Sequence, residues 1–89
     1  MPIYEIHVRG RVQGVGYRYH ARESALQMGI TGYVRNLPDR SVYIVAEADE
    51  FLIDSFCEML RRGNGFSRVE QITKEIMNTE NRYHDFEIG

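Results

Sequence analysis

The segment of this chain best suited to chemistry is Gly10–Arg18, with the sequence GRVQGVGYR. Three glycines in its first seven residues predict a tight and unusual backbone. Consecutive backbone N–H groups in such a loop can converge on an anion, and a helix beginning after it adds further unpaired N–H donors. Arg18 contributes a planar fork of donors that suits phosphate oxygens. The segment therefore predicts a phosphate site, and an ordinary glycine-rich strand-to-helix turn is the structural alternative.

Two widespread nucleotide-binding motifs do not fit this segment. No Gly-Lys-Ser/Thr follows the loop, so it is not a Walker loop. The glycine spacing also differs from the dinucleotide fingerprint, and no doubly wound pattern of strands and helices follows it. The anion predicted here is therefore not a nucleotide held in either of these two ways.

Asn36 is the second residue with a potential chemical role. It ends the segment Gly32–Asn36, which has the pattern of a strand, and it lies eighteen residues after Arg18. The side-chain amide both donates and accepts hydrogen bonds, so it can fix the direction of a water molecule. A turn-forming role beside Pro38 is the alternative.

Charge is distributed unevenly along the chain. The formal net charge is −2, which argues against a general nucleic-acid binder, because that task needs a broad basic face. Between Ile6 and Arg22 there is no acidic residue but there are four arginines, at positions 9, 11, 18 and 22. A single basic segment favours a small anionic ligand held at one place, although any one of these arginines can instead belong to a solvated surface.

Length and composition predict one globular domain over residues 1–89, with 43% hydrophobic and 27% charged residues. No apolar run approaches the ~20 residues that a membrane span needs. The N-terminus lacks the basic and apolar sections of a signal peptide. Because Cys57 is the only cysteine, no internal disulfide can form. We therefore expect a cytoplasmic protein that does not contact the membrane.

The hydrophobic pattern predicts the elements that position these residues. Alternating apolar residues predict a first strand ending at Gly10, and helical spacing predicts a helix from about Tyr17 to Met28, stopped by Gly29. A hairpin of two strands follows, and Asp49 is the predicted N-cap of a second helix that ends near Arg62. The last predicted strands are Arg68–Ile76 and Tyr83–Ile88.

This order predicts an α+β fold of the ferredoxin-like βαββαβ type. Its antiparallel sheet would carry both helices on one face, with a short additional strand at the C-terminus. In the second helix the spacing predicts a core-facing stripe of Leu52, Phe56, Met59 and Leu60. Many unrelated activities share this architecture, so the fold alone does not define the function.

Other residue types with chemical potential are scattered. His7, His20 and His84 share no metal-ligand spacing with a cysteine or a carboxylate, so we expect surface or structural roles for them and no metal or cofactor. Cys57 lies within the second predicted helix and is expected to be a small buried hydrophobe rather than a nucleophile.

Two stretches of the chain resemble the acylphosphatase family: Gly10–Arg18, and Gly32–Asn36 (GYVRN) followed by Pro38, Asp39 and Val42. The first matches the family's phosphate loop without a gap, and the similarity extends over nearly the whole length. The resemblance implies that Arg18 is the essential phosphate-binding arginine and that Asn36 orients the attacking water. It also implies that backbone N–H groups bind the phosphate at Val12, Gln13, Gly14, Val15 and Gly16.

The chain departs from the family's pattern at two positions. Arg40 and Ala48 stand where the family usually has glycine. A glycine in a hairpin turn commonly supplies a positive φ, which costs a residue with a side chain about 1 kcal/mol. We therefore expect either a different turn type or a strained Arg40, and in both cases the turn affects how Asn36 is placed.

The candidate residues constrain the substrate. Neither Arg18 nor Asn36 can accept a proton, so a substrate with a poor leaving group would not react here. An acyl phosphate releases a carboxylate, which is a weak base and needs little help. Positioning a water in line and stabilising charge on the phosphoryl oxygens can then suffice, and the resemblance likewise implies hydrolysis of acyl phosphates by a metal-free enzyme. We expect inorganic phosphate to be the product or an inhibitor.

Two other functions stay open at this point. The same loop fits a non-catalytic phosphate sensor, although mere binding needs no water-positioning residue such as Asn36. An RNA-binding domain would use Tyr33 and Tyr43 as stacking platforms and would need aromatic residues on the neighbouring central strand. The first predicted strand instead has Glu5, His7 and Arg9 on the face opposite its apolar residues. We therefore expect a monomeric enzyme that acts on a small molecule and binds no nucleic acid.

Overall fold

The computed structural model describes all residues from Met1 to Gly89. Five strands and two helices follow one another in the order β1, α1, β2, β3, α2, β4, β5. Their bounds are β1 Ile3–Arg11, α1 Tyr17–Met28, β2 Thr31–Asn36, β3 Val42–Glu47, α2 Glu50–Arg62, β4 Arg68–Met77 and β5 Phe86–Ile88. This order confirms the predicted ferredoxin-like α+β fold with an additional C-terminal strand.

The five strands form one sheet in the order β4-β1-β3-β2-β5. β1 pairs antiparallel with both β3 and β4, and β2 pairs antiparallel with β3. β5 pairs with β2 in parallel, with Phe86 opposite Gly32, so the complete sheet is mixed. β1 is thus an inner strand, and the loop that follows it starts beside the β2–β3 hairpin.

β5 begins at Phe86, three residues later than the prediction of a strand from Tyr83. Tyr83 is held by other contacts, because its N–H donates to the Glu47 carboxylate at 3.0 Å. Its ring also packs edge-on against Tyr33, with 5.9 Å between ring centroids. Side chains of Glu47 and Tyr33 thus contact the N–H and the ring of Tyr83, which does not pair with β2.

α1 forms where predicted, with Tyr17, Ala21 and Ala25 buried along one face. Gly29 ends the helix with a left-handed φ of 69°, and its N–H bonds to the last turn. A residue with a side chain would be strained there, which explains why this helix stops at a glycine. Neither helix has the length and apolar character that crossing a membrane would require.

α2 is capped by Asp49, whose carboxylate accepts a hydrogen bond from the Leu52 N–H at 2.9 Å, as predicted. Its fully buried side chains are Ile53, Phe56, Cys57 and Leu60. Of the predicted stripe, Phe56 and Leu60 are buried, whereas Leu52 and Met59 are only half-buried. The core-facing stripe is therefore rotated from the predicted one.

Both helices pack on one face of the sheet and share a single core with it. That core includes the inward residues of β1 and β3, among them Ile6, Val8 and Ile44, none of which is exposed. The buried Tyr17 hydroxyl donates to the Leu60 carbonyl at 2.7 Å, which joins α1 to α2. The start of α1 is therefore fixed relative to the rest of the fold, and with it the end of the preceding glycine-rich loop.

Candidate active site

The loop between β1 and α1 has a backbone of alternating handedness. Gly14 has a φ of 74° and Gly16 a φ of 76°, whereas Gln13, Val15 and Tyr17 do not have positive φ. Such alternation turns successive N–H groups toward the same side of the chain, and the resulting concavity binds anions. Glycine is favoured at these two positions, because a side chain would strain a left-handed conformation.

The N–H groups of residues 12–16 have no acceptor within the protein. These residues lie outside the helices and strands, and none of their N–H groups donates in the remaining backbone or side-chain hydrogen bonds. The first N–H groups of α1 are also without helical partners, as at the start of any helix. Because Gly14 and Gly16 are exposed, this row of donors is open to an incoming group and is suited to an anion.

Arg18 is the second residue of α1, which places its guanidinium beside this loop. The side chain is half-buried, and its Nη1 donates to the Gly89 carbonyl at 2.5 Å. It forms no ion pair with an aspartate or glutamate side chain. The other guanidinium N–H groups make no hydrogen bond within the protein and can donate to a ligand.

Asn36 is the last residue of β2 and pairs with Val42 on β3. Side chains alternate along a strand, and Val34, two residues earlier, is buried on the helix-bearing face of the sheet. The Asn36 side chain consequently projects toward the same face, where α1 begins. Its exposed amide makes no hydrogen bond to another protein group.

The glycine-rich loop, Arg18 and Asn36 line one open pocket of about 230 Å³. Its polar lining comes from Gly14, Gly16, Arg18 and Asn36, and its apolar lining is completed by Val12, Tyr17, Tyr19 and Ile88. Two of the predicted phosphate-binding residues do not line it. Gln13 faces a neighbouring hollow, and Val15 is half-buried against the core. The pocket lining contains no carboxylate, imidazole or thiol.

Asn64, between α2 and β4, binds the glycine-rich loop on the side away from the pocket and was not among the predicted site residues. Its side-chain N–H donates to the Val15 carbonyl at 2.8 Å. Its oxygen accepts from the N–H groups of Phe66 and Ser67 at 3.1 and 3.0 Å. The only signal in the sequence was its position in the predicted Gly63–Gly65 loop, because a contact across 49 residues leaves no periodic pattern.

The structure of the β2–β3 turn distinguishes the two expectations for Arg40, a different turn type or a strained residue. Arg40 adopts a left-handed φ of 73° and is the only residue other than glycine with positive φ. Its N–H donates to the Leu37 carbonyl at 3.1 Å, and the Leu37 N–H donates to Ser41 at 2.9 Å. This is the three-residue hairpin in which a left-handed residue follows a type I turn. The turn type that favours glycine is therefore kept, and Arg40 carries its strain.

Asp39 stabilises this turn. Its carboxylate accepts hydrogen bonds from the hydroxyl and the N–H of Ser41 and pairs with Arg9 at 3.1 Å. These contacts, those of Ser41 above all, lower the pKa of Asp39 to about 2. Ala48, the other departure from the family pattern, is buried and has no positive φ, so its position does not require glycine.

The other residues considered in the sequence analysis contact neighbouring protein groups and do not form a second reactive site. The His20 ring contacts the Met59 carbonyl at 3.0 Å, and burial raises the pKa of the Cys57 thiol, which disfavours the reactive thiolate. Nowhere do three or more histidine, cysteine, aspartate or glutamate side chains cluster.

The rings of Tyr33 and Tyr43 lie on the helix-free face, where the Tyr43 hydroxyl donates to the Glu5 carboxylate at 2.9 Å. The Arg35 guanidinium lies 5.8 Å from the Tyr33 ring centroid and 5.3 Å from that of Tyr43, so both rings contact neighbouring side chains of the protein.

Comparison with known proteins identifies relatives over nearly the full length. The acylphosphatase family model matches residues 4–88. The acylphosphatase of Archaeoglobus fulgidus is 43% identical over 85 residues, which cover 96% of this chain and 94% of that one. The crystal structure of an acylphosphatase from Bacillus subtilis superposes with a TM-score of 0.94 at 38% identity, covering 100% and 99% of the two chains. T. kodakarensis HypF contains a similar unit, with a TM-score of 0.87 and 33% identity over 12% of its chain.

The fold and the pocket together define a class: a small ferredoxin-like α+β protein with an open polar pocket at the start of its first helix. The sequence and structural comparisons specify the family within that class, and the chain belongs to the acylphosphatase family. The protein is accordingly an enzyme that hydrolyses acyl phosphates.

Proposed function

We propose that residues 1–89 act as one catalytic domain in which the loop binds the phosphoryl group and Asn36 positions the attacking water. The observation that carries this proposal is the row of N–H groups at residues 12–16 without acceptors in the protein. Three phosphoryl oxygens offer several acceptors to these donors and to the Arg18 guanidinium. Charge that develops on the phosphoryl group is then stabilised by donors that are already in place.

The chemistry of the pocket lining fits an acyl phosphate. Arg18 stays protonated and Asn36 does not titrate, so neither removes a proton from water. The carboxylate that leaves an acyl phosphate is a weak base, and hydrolysis then requires mainly a water placed in line with the bond that breaks. In the proposed reaction the water oxygen bonds to phosphorus and the carboxylate departs with the electron pair of the broken bond. Both protons of the water end on phosphate oxygens, one by transfer to a phosphoryl oxygen of the substrate, so dihydrogen phosphate remains in the loop.

We also propose that the reaction needs no metal ion. The residues that line the pocket carry no carboxylate, imidazole or thiolate with which to hold one. The phosphoryl charge is instead met by Arg18 and by the partial positive charge at the start of α1. Inorganic phosphate uses the same donors as the substrate, and we therefore expect it to inhibit.

Hydrolysis of benzoyl phosphate in the presence of excess chelator tests this proposal. We expect Arg18→Ala to lose both activity and inhibition by phosphate, and Asn36→Ala to lose activity while still being inhibited by phosphate. Arg61→Ala and Asn81→Ala are matched controls, because Arg61 forms only an exposed pair with Glu58 and the Asn81 side chain makes no hydrogen bond. Full activity of Asn36→Ala, or a chelator-sensitive wild type, would contradict the proposal, and phosphate binding without hydrolysis would indicate a sensor.

A further inference from the structure

The Gln13 side chain connects the phosphate loop to the β2–β3 turn. Its Nε2 donates to the Leu37 carbonyl and to the Ser41 carbonyl, each at 2.9 Å. Both protons of the amide are therefore used, and both bonds are partly buried. These contacts span 24 and 28 residues of sequence, so they fix two separate segments of the chain against each other.

The two carbonyls belong to the residues that begin and end the turn. Leu37 directly follows Asn36, the last residue of β2, and Ser41 directly precedes Val42, the first residue of β3. The Leu37 N–H also donates to Ser41, so Gln13 binds at the base of the turn rather than at its exposed tip. Gln13 thus contacts the turn one residue away from the proposed water-positioning amide.

The sheet ladder holds the ends of this turn, because Val42 pairs with both Val8 of β1 and Asn36. Beyond the ladder, few contacts fix the turn relative to the loop. Asp39 binds within the turn to Ser41, and its pair with Arg9 lies on the exposed surface. Exposed ion pairs contribute little to positioning. The Asn36 side chain has no protein partner of its own, and its place above the loop therefore depends on the backbone that carries it.

We propose that Gln13 is a positioning residue, whose side chain holds Asn36 at the correct distance from the phosphate loop. This inference rests on the proposed function, because it assumes that Asn36 orients water on a phosphoryl group held by the loop. The Gln13 side chain itself does not line the pocket with Arg18 and Asn36. Its side chain would consequently act through the backbone, either that of Asn36 or that of the loop, and the affinity for inorganic phosphate distinguishes the two.

A Gln13→Met variant removes the two donors while preserving the length of the side chain. Displacing a group that orients a reactant by about 1 Å can cost about 100-fold in rate, so we expect kcat for benzoyl phosphate to fall about 10- to 100-fold. The inhibition constant of inorganic phosphate should change less than about threefold, since the N–H groups and Arg18 are retained. Gln27→Met, on the exposed side of α1, is the matched control and should retain wild-type kcat.

A double-mutant cycle separates positioning from general stabilisation. If Gln13 acts through Asn36, adding Gln13→Met to Asn36→Ala should lower kcat by less than about threefold further. Gln13→Ala provides a second side-chain deletion, and circular dichroism establishes that each variant is folded at the assay temperature. Additive losses of kcat, an unchanged kcat in folded Gln13→Met, or an equal loss of phosphate affinity would overturn the assignment.

These outcomes are distinct from failure of the proposed function. If Asn36→Ala alone retains wild-type kcat, the proposed role of Asn36 is wrong. If Asn36→Ala is inactive but the Gln13 and Asn36 losses add, the role of Asn36 stands and the positioning role of Gln13 is wrong.

Discussion

Removing the Asn64 side chain should weaken phosphate binding more than it slows the hydrolytic step. Asn64→Ala deletes the hydrogen bond to the Val15 carbonyl, which joins the phosphate loop to the segment after α2. It also deletes the acceptor for the N–H groups of Phe66 and Ser67. Asn36 and the β2–β3 turn are not touched by this change, so the geometry of water attack is retained once phosphate is bound.

The magnitude follows from these bonds. A neutral hydrogen bond contributes about 1 kcal/mol net, and losing the one to Val15 would weaken phosphate binding about fivefold if all of it serves to order the loop. The bonds to Val15 and Ser67 are partly buried, so the free energy of unfolding should fall by about 2 kcal/mol. For a domain of this size that corresponds to a melting temperature lower by roughly 8–16 °C.

Two assays on the same preparation test this prediction. Inhibition of benzoyl phosphate hydrolysis gives the phosphate affinity, and thermal unfolding followed by circular dichroism gives the stability. Asn81→Ala serves as the control, because its exposed side chain makes no hydrogen bond and both quantities should stay unchanged. A lower melting temperature with wild-type phosphate affinity would refute the view that Asn64 holds the loop ready for the anion.

Three further predictions concern the backbone and the turn. Arg40→Gly should relieve the left-handed strain at φ 73° and raise the free energy of unfolding by up to about 1 kcal/mol, measured by urea denaturation. Gly14→Ala should fold with a strain of about 1 kcal/mol, because no atom lies within 4 Å of an added Cβ. Gly10→Ala should lose about 3 kcal/mol or more, because the Cβ would stand 2.2 Å from the Arg68 carbonyl oxygen; similar melting temperatures of these two variants would contradict the comparison. Because the folded-state pKa of Asp39 is lowered to about 2 from 3.8, its contribution to stability is complete above about pH 5 and is lost progressively as the pH falls through the folded-state pKa toward about 1. The stability difference between wild type and Asp39→Ala should therefore be constant above about pH 5 and shrink steadily below it, and a difference that does not shrink between about pH 5 and pH 1 would show that the carboxylate charge is not its source.

The elements and the glycine-rich loop between β1 and α1 could be predicted because each leaves a local signal, whereas the role of that loop in phosphate binding stays a prediction. Alternation marked β1, helical spacing marked α1, and Asp49 marked the start of α2. The density of glycines marked the loop, and the structure shows why glycine is favoured at two of the positions, since Gly14 and Gly16 have positive φ. These features depend on residues close together in sequence, which is the range that periodicity and turn chemistry describe.

What escaped prediction depends on contacts between distant residues. The bonds of Gln13 to the β2–β3 turn and of Asn64 to Val15 are side-chain to backbone contacts that no periodic pattern marks. Tyr83 is an aromatic residue of the kind that favours strands, yet its ring is engaged by Tyr33 and the strand begins later. The direction of β5 also depends on its partner, because β2 accepts it in parallel at the free edge of the sheet.

The most direct test of the central claim is to follow the backbone amides by NMR while inorganic phosphate is added. The claim is that N–H groups of residues 12–16, unpaired within the protein, bind the phosphoryl group together with Arg18. We predict that their amide resonances show the largest shifts, that they saturate at the concentration that inhibits benzoyl phosphate hydrolysis, and that Arg18→Ala abolishes the response. Resonances of residues 12–16 that stay in place at an inhibitory phosphate concentration would contradict the account.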